Sequence, residues 1–217
     1  MNKRVLKEVI FCYLFFSQLY FLSSVIIKNF SIEKYNVVSI IDYLYPTVLI
    51  FIIPYFIYYV YVFIGPYLIG VRSIDELHRY TINLVLSTLI GFVIFLVFPT
   101  YIDRSGFDFD KSSFLYNLIL FFHKADVGCN AFPSFHCLIS LLVLDSARNV
   151  YSDRFHNALF SIITYSICFS TFLIRQHSII DFFGAFIVYK FTIFIVGHFN
   201  LDSRIIGFFN RSVIRDE

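Results

Sequence analysis

The chain predicts an all-α fold, a polytopic membrane protein built as a six-transmembrane-helix bundle. Three observations carry this. Apolar residues make up 59% of the 217 positions and charged residues 15%, where a soluble domain carries roughly 25% charged. The excess of Phe, Ile, Leu and Tyr is more than one soluble core could hide. Several apolar runs approach or exceed the ~20 residues that a helix needs to cross a bilayer.

The elements follow in order. A first span is predicted over 8–27, after Lys3, Arg4 and Lys7. Its apolar core is longer than the roughly 7–15 residues of a signal peptide and lacks a small-residue cleavage site, so it reads as a retained anchor. A polar stretch covers 28–36. The second span, 46–70, contains Pro46, Pro54 and Pro66, and kinks are expected there. Tyr55, Tyr58 and Tyr59 either pack or line a headgroup site, and packing is the simpler reading. A charged link is expected over 72–79, a third span over 80–98 and a polar loop over 99–113. Residues 114–124 are apolar but too short to cross, which suits a helix at the interface. A fourth span is expected over 134–150, cut short by Asp145 and Arg148. The fifth is 157–174, the sixth 179–199, and 200–217 is a polar tail. No repeat or linker divides the chain, so 1–217 reads as one membrane domain.

Charge sets the expected orientation. With the N-terminus inside, ten lysines and arginines fall on inner segments and six on outer ones, while Lys190 lies mid-span. This bias puts both termini in the cytoplasm of a multi-pass protein of the cell (inner) membrane. Lys190 is expected to pair within the bundle or to snorkel. The net charge of +2 is too small for nucleic-acid binding. The expected partners are membrane lipids and a lipid substrate. Cys12 and Cys168 read as packing residues. Cys129 and Cys137 could form a disulfide on an oxidising side.

Two histidine motifs stand 41 residues apart at the edges of apolar runs. They are Asn130-Ala-Phe-Pro-Ser134-Phe-His136 and Arg175-Gln-His177-Ser-Ile-Ile-Asp181. The predicted topology puts both on the outer face. His177 and Asp181 are four apart and share a helix face. A carboxylate there fixes one imidazole tautomer and leaves the other nitrogen free to attack. His136 can then supply a proton to a leaving oxygen. Arg175 and Arg104 can bind an anion through paired N–H groups. Ser134 falls at a helix N-terminus, where free backbone N–H groups favour a phosphate. Asn130 is a weaker candidate contact. This set suits phosphoryl transfer through a phosphohistidine. It suits acyl transfer poorly, since no activated Ser or Cys is evident.

These residues resemble a known family. The Pro133-Ser134-Phe135-His136 run looks like one signature of the type 2 phosphatidic acid phosphatase superfamily. Ser170 to Gly184, with His177 and Asp181, looks like the signature that carries its nucleophile. Phe98 to Arg104 resembles its weaker first signature. The likeness covers roughly 40–200 and is closest to the branch holding inositol phosphorylceramide synthases and many bacterial membrane phosphatases. It implies a six-helix fold with no metal or cofactor. It also implies His177 as nucleophile, Asp181 orienting it, His136 as acid, and Ser134 with nearby backbone holding phosphate oxygens. This chain departs from the pattern at three points. Val97 stands in place of a lysine, Ser105 in place of a proline, and Thr171 in place of an arginine whose charge Arg175 could supply. The expected activity is hydrolysis of a lipid phosphomonoester or diphosphate. Two other readings stay open: transfer to an alcohol instead of water, and a non-enzymatic membrane protein that keeps the fold.

Overall fold

The computed structural model describes residues 2–125 and 128–204. Among the described residues seven α-helices follow one another: α1 Lys3–Asn29, α2 Ile52–Arg72, α3 Ile74–Val97, α4 Phe114–Ala125, α5 Phe135–Val150, α6 Arg154–Leu173 and α7 Ile179–His198, and residues 201–204 are also helical. Single-turn 3-10 segments lie at Ile40–Tyr43 and Leu49–Phe51, and two short strands at Tyr35–Asn36 (β1) and Thr100–Tyr101 (β2). The expected tail beyond 204 lies outside the described residues.

Among the described residues five helices are long and apolar enough to cross a bilayer: α1, α2 with its leading turn, α3, α6 and α7. They mark a multi-pass membrane protein. Their outward faces carry large apolar side chains such as Phe21, Ile187 and Phe194, as lipid contact demands.

The expected fourth span is α5, and it differs from the rest. Its 16 residues extend about 24 Å at 1.5 Å per residue, short of the ~30 Å hydrocarbon core. Every residue from Cys137 to Leu144 is buried, and α5 packs against α2, α3, α6 and α7. It is the central post of the bundle. Hydropathy counts apolar residues and cannot tell a lipid-facing helix from one enclosed by protein. Enclosure also explains Asp145, which accepts a hydrogen bond from Tyr189 Oη at 2.9 Å; Arg148, near the end of α5, is exposed and donates to Ser161 Oγ at 3.1 Å.

Small residues let the other helices close on this post. A methyl group on Gly65 of α2 would lie 2.5 Å from Val143 Cγ1, and one on Gly91 of α3 would overlap the Phe135 ring. Polar pairs pin the same contacts: Tyr61 Oη meets Thr164 Oγ1 at 2.9 Å, and Thr164 Oγ1 donates to the Ser140 carbonyl at 3.2 Å.

Other expectations need correction. The charged link at 72–79 is mostly helix. Only Ser73 interrupts it, because its hydroxyl accepts the Glu76 N–H at 3.2 Å and Asp75 and Glu76 fill the acidic first turn of α3, a strong N-terminal signal. Of the three prolines, Pro46 precedes α2 and Pro54 sits in its first turn, where the missing N–H would have no intrahelical acceptor. Only Pro66 lies in the helix interior. Lys190 is exposed, its ammonium 5.0 Å from the Tyr189 ring centre. Cys129 and Cys137 are both free and buried; Cys137 lies inside the bundle, its sulfur 3.6 Å from Thr171 Oγ1.

The two strands were not anticipated, since two residues show no periodicity. β1 and β2 pair in parallel, Tyr35 with Thr100 and Asn36 with Tyr101. Thr100 then bridges to the first histidine motif. Its carbonyl accepts Ala131 N–H at 3.2 Å, and its hydroxyl accepts Phe132 N–H at 2.7 Å. The Phe132 ring lies directly over Gly184 of α7, where a methyl group would overlap it. Gly184→Ala is therefore expected to displace Phe132 and lower stability by about 1–3 kcal/mol through overpacking. Thermal unfolding in detergent checks this; an unchanged midpoint would show that the loop does not rest on α7.

Candidate active site

The two histidine motifs meet at one end of the bundle. His136 is the second residue of α5, and Ser134 caps that helix, its hydroxyl accepting the Cys137 N–H at 3.5 Å. Ser134 N–H donates to the Asp181 carbonyl at 3.1 Å, which joins the start of α5 to the start of α7. His177 precedes α7. Asp181 is the third residue of that helix, and its Oδ2 accepts Ser178 N–H at 2.9 Å in a capping box.

The imidazoles touch. His136 Nδ1 lies 3.3 Å from His177 Nε2. His177 Nδ1 lies 3.0 Å from the Ala131 carbonyl and 3.2 Å from Asp181 Oδ2. Both of those partners are acceptors, so Nδ1 carries the ring proton. His177 Nε2 then presents a lone pair, and the proton between the rings belongs to His136 Nδ1. The geometry alone thus assigns a donor and an acceptor to the pair. Asp181 is fully buried and His177 nearly so.

A second carboxylate completes the start of α7, and sequence reading missed it. Asp42 accepts from Ser178 Oγ at 2.7 Å and from Ile179 N–H at 2.9 Å. It also accepts from Ser39 N–H at 2.8 Å and from Tyr45 Oη at 2.5 Å. Burial alone would raise its pKa, but the donors led by Tyr45 outweigh it and hold the carboxyl below its ordinary value. Burial, together with the same hydrogen bond, pushes the Tyr45 phenol up. The one signal in the sequence was the Ser39-Ile-Ile-Asp42 capping-box pattern.

The expected phosphate clamp takes a different form. Arg175 is 3% exposed, and its guanidinium donates to the Asp42 carbonyl at 2.6 Å, the Tyr45 carbonyl at 2.5 Å and Thr47 Oγ1 at 3.0 Å. It lies between the Tyr45 and Phe107 rings, 4.4 and 4.2 Å from their centres. A flat fork with several donors suits that task. Arg175 itself has φ +61°, a left-handed turn that carries the chain from α6 to His177. Arg104 Nε donates to the Arg175 carbonyl at 2.8 Å, and its Nη2 reaches the Gln176 carbonyl at 3.5 Å. These contacts engage both arginines with the backbone around the nucleophile candidate. Asn130 Nδ2 donates to the Tyr20 carbonyl and to Ser23 and Ser24 Oγ at 2.8–2.9 Å, so it ties its motif to α1. His123 of α4 contacts the Ile174 carbonyl at 3.0 Å. Burial, followed by the Arg104 charge, depresses its pKa to about 3, which keeps it neutral.

A cavity of about 430 Å³ opens beside the histidines. His136, His177 and Gln176 contribute polar groups, and rings from α1, α2 and α4 form most of the wall, including Tyr20, Tyr55, Tyr59 and Phe122. Tyr58 and Tyr55 lie 4.4 and 4.8 Å from His136, ring centre to ring centre. Tyr55, Tyr58 and Tyr59, for which packing is the simpler reading of the sequence, also line the cavity. Phe21 and Tyr59 are both lining and exposed, which sets a mouth on the bundle's side. Comparison with protein-family models, curated proteins and solved structures gives no match.

Arg175→Lys separates the two roles of that residue. An ammonium cannot span Asp42, Tyr45 and Thr47 together. The expected result is a lower unfolding midpoint, with each buried carbonyl left unpartnered costing about 1–3 kcal/mol, and unchanged vanadate affinity in protein that remains folded. A stable variant that binds vanadate more weakly would restore the anion-binding role.

Proposed function

We propose that this chain is a membrane-embedded lipid phosphate phosphatase that works through a phosphohistidine. The observation that carries the reading is the proton order Asp181, His177, His136 at the wall of an aromatic cavity. The resemblance of both motifs to the type 2 phosphatidic acid phosphatases agrees with it.

The chemistry follows from the proton positions. A lipid phosphate or diphosphate enters from the side, its chain among the rings and its phosphoryl group between the imidazoles, breaking their hydrogen bond. The His177 Nε2 lone pair attacks phosphorus and forms the P–N bond. The P–O bond to the lipid breaks, and the lipid oxygen takes the Nδ1 proton of His136, which acts as the imidazolium beside the anionic phosphoryl group and is left as the neutral ring. Asp181 and the Ala131 carbonyl stabilise the positive ring through Nδ1–H. Water then attacks phosphorus and gives its proton to His136, and the P–N bond breaks to release phosphate. Backbone near the capped start of α5, with Ser134, is suited to holding phosphoryl oxygens. The excess of positive charge on inner segments favours cytoplasmic termini and a site on the outer face.

One observation favours a second acceptor. His177 is 6% exposed behind an aromatic wall, so bulk water reaches a phosphohistidine there poorly. An alcohol carried into the cavity would compete, giving a phosphotransferase.

A panel of phosphatidic acid, phosphatidylglycerophosphate and polyprenyl diphosphate in vesicles tests these readings, with and without candidate alcohols. His177→Ala is expected to abolish turnover, and His136→Ala to lower it about 10²–10⁴-fold. Asp181→Asn should fall short of complete loss, because the Ala131 carbonyl still holds Nδ1–H. Phosphorylated alcohol in place of free phosphate would select transfer. Turnover that survives His177→Ala, or no turnover and no vanadate binding by the wild type, would overturn the enzymatic reading.

A further inference from the structure

The cavity beside the histidines reaches well past them. Its lining positions run from Tyr13 to Phe21 on α1 and from Tyr55 to Val62 on α2, at the helical spacing that marks one face of each. Ring contacts order these positions. Tyr20 is level with the first histidine motif, its ring centre 6.1 Å from that of Phe135, and Tyr55 and Tyr58 flank His136. Tyr13 stands at the other end, its ring centre 4.3 Å from that of Phe63 and 5.4 Å from that of Phe16. From Tyr20 back to Tyr13, and from Tyr55 on to Val62, each helix advances about 10 Å. A phosphoryl group at the imidazoles uses none of this depth. The mouth at Phe21 and Tyr59 lies at the histidine level, so a chain leaving there would leave the slot below it empty. An unfilled void forfeits packing contacts along its whole lining.

We propose that Tyr13 is a specificity-determining residue, the floor of a slot between α1 and α2 that takes one hydrocarbon chain of the substrate and limits its length. An extended chain advances about 3.6 Å over three backbone bonds, so ~10 Å holds about eight carbons. The cavity of about 430 Å³ is near the lower end of the roughly 300–1,000 Å³ of small-molecule sites, which suits one chain beside a phosphoryl group rather than two. The substrate class is thus a single-chain lipid phosphate of medium length. The Tyr13 ring packs against Phe16 and Phe63, so a longer chain must force this contact apart, the cost of overpacking. The inference rests on the reading of the cavity as a lipid phosphate site.

Equilibrium binding to the full chain in nanodiscs tests this, measured by titration calorimetry with uptake by empty nanodiscs subtracted. The probes are hexyl, octyl, dodecyl and hexadecyl monophosphate. The wild type is expected to bind octyl phosphate most tightly and hexadecyl phosphate at least about fivefold more weakly, the effect of about 1 kcal/mol of overpacking. Tyr13→Ala is expected to remove that penalty and to leave octyl phosphate binding within about twofold of the wild type. Tyr13→Leu serves as a second variant if the first fails to fold. Phe11→Ala, on the same helix but exposed and outside the cavity, is expected to keep the wild-type length profile. Equal wild-type affinity for all lengths, a length limit unchanged in a folded Tyr13 variant, or no binding of any probe would overturn the proposal. Phosphate release from the same probes is recorded in parallel. A Tyr13-dependent length limit without turnover would sink the phosphatase reading alone. His177-dependent turnover without a length limit would sink the role of Tyr13 alone.

Discussion

The first turn of α7 must satisfy its backbone N–H groups inside a helical bundle, away from bulk water, and two carboxylates do it. Asp181 takes Ser178 N–H from within the helix, while Asp42 takes Ile179 N–H and Ser178 Oγ from a distant segment. An unpaired N–H in such surroundings is costly, and the positive end of the helix dipole favours both charges. This constraint places Asp181 against His177 and draws the 39–47 segment over the α6–α7 turn. Arg175, within that turn, ties it to the 42–47 segment, and Arg104 holds the turn's carbonyls at Arg175 and Gln176. The position of His177 follows from these contacts.

The second histidine depends on a different support. α5 is short and enclosed, and its first turn is held by Ser134, by the Thr100 bridge and by the Asp181 carbonyl. Asp181 thus serves both halves: its side chain orients His177, and its main chain anchors the segment leading to His136. A single residue couples the nucleophile candidate to the proton donor. Most of the cavity wall beside them comes from helices α1, α2 and α4, which belong to neither motif, while Phe135 and Gln176 line it from within the motifs.

Much of this was legible in the sequence because it is local. The i,i+4 spacing of His177 and Asp181, the Ser134 cap and the five long apolar helices each depend on neighbouring residues. What was not legible is long-range. Asp42 reads as a loop acid until a chain separation of 136 residues is closed by Ser178. Arg175 reads as an anion ligand because a guanidinium suits carbonyls and phosphates equally, and only the fold brings Asp42 and Tyr45 to it. Hydropathy could not show that α5 is enclosed by protein, nor that Tyr55 and Tyr58 surround His136.

The central claim is that His177 Nε2 is the atom that takes the phosphoryl group, with its proton held at Nδ1 by Asp181 and the Ala131 carbonyl. Rapid quenching of the protein with phosphorus-labelled lipid phosphate, followed by peptide mapping, tests it most directly. The account predicts an acid-labile, alkali-stable label on the peptide containing His177, bonded at Nε2 and absent in His177→Ala. A label on Nδ1 or on His136, or turnover without any trapped phosphohistidine, would contradict it.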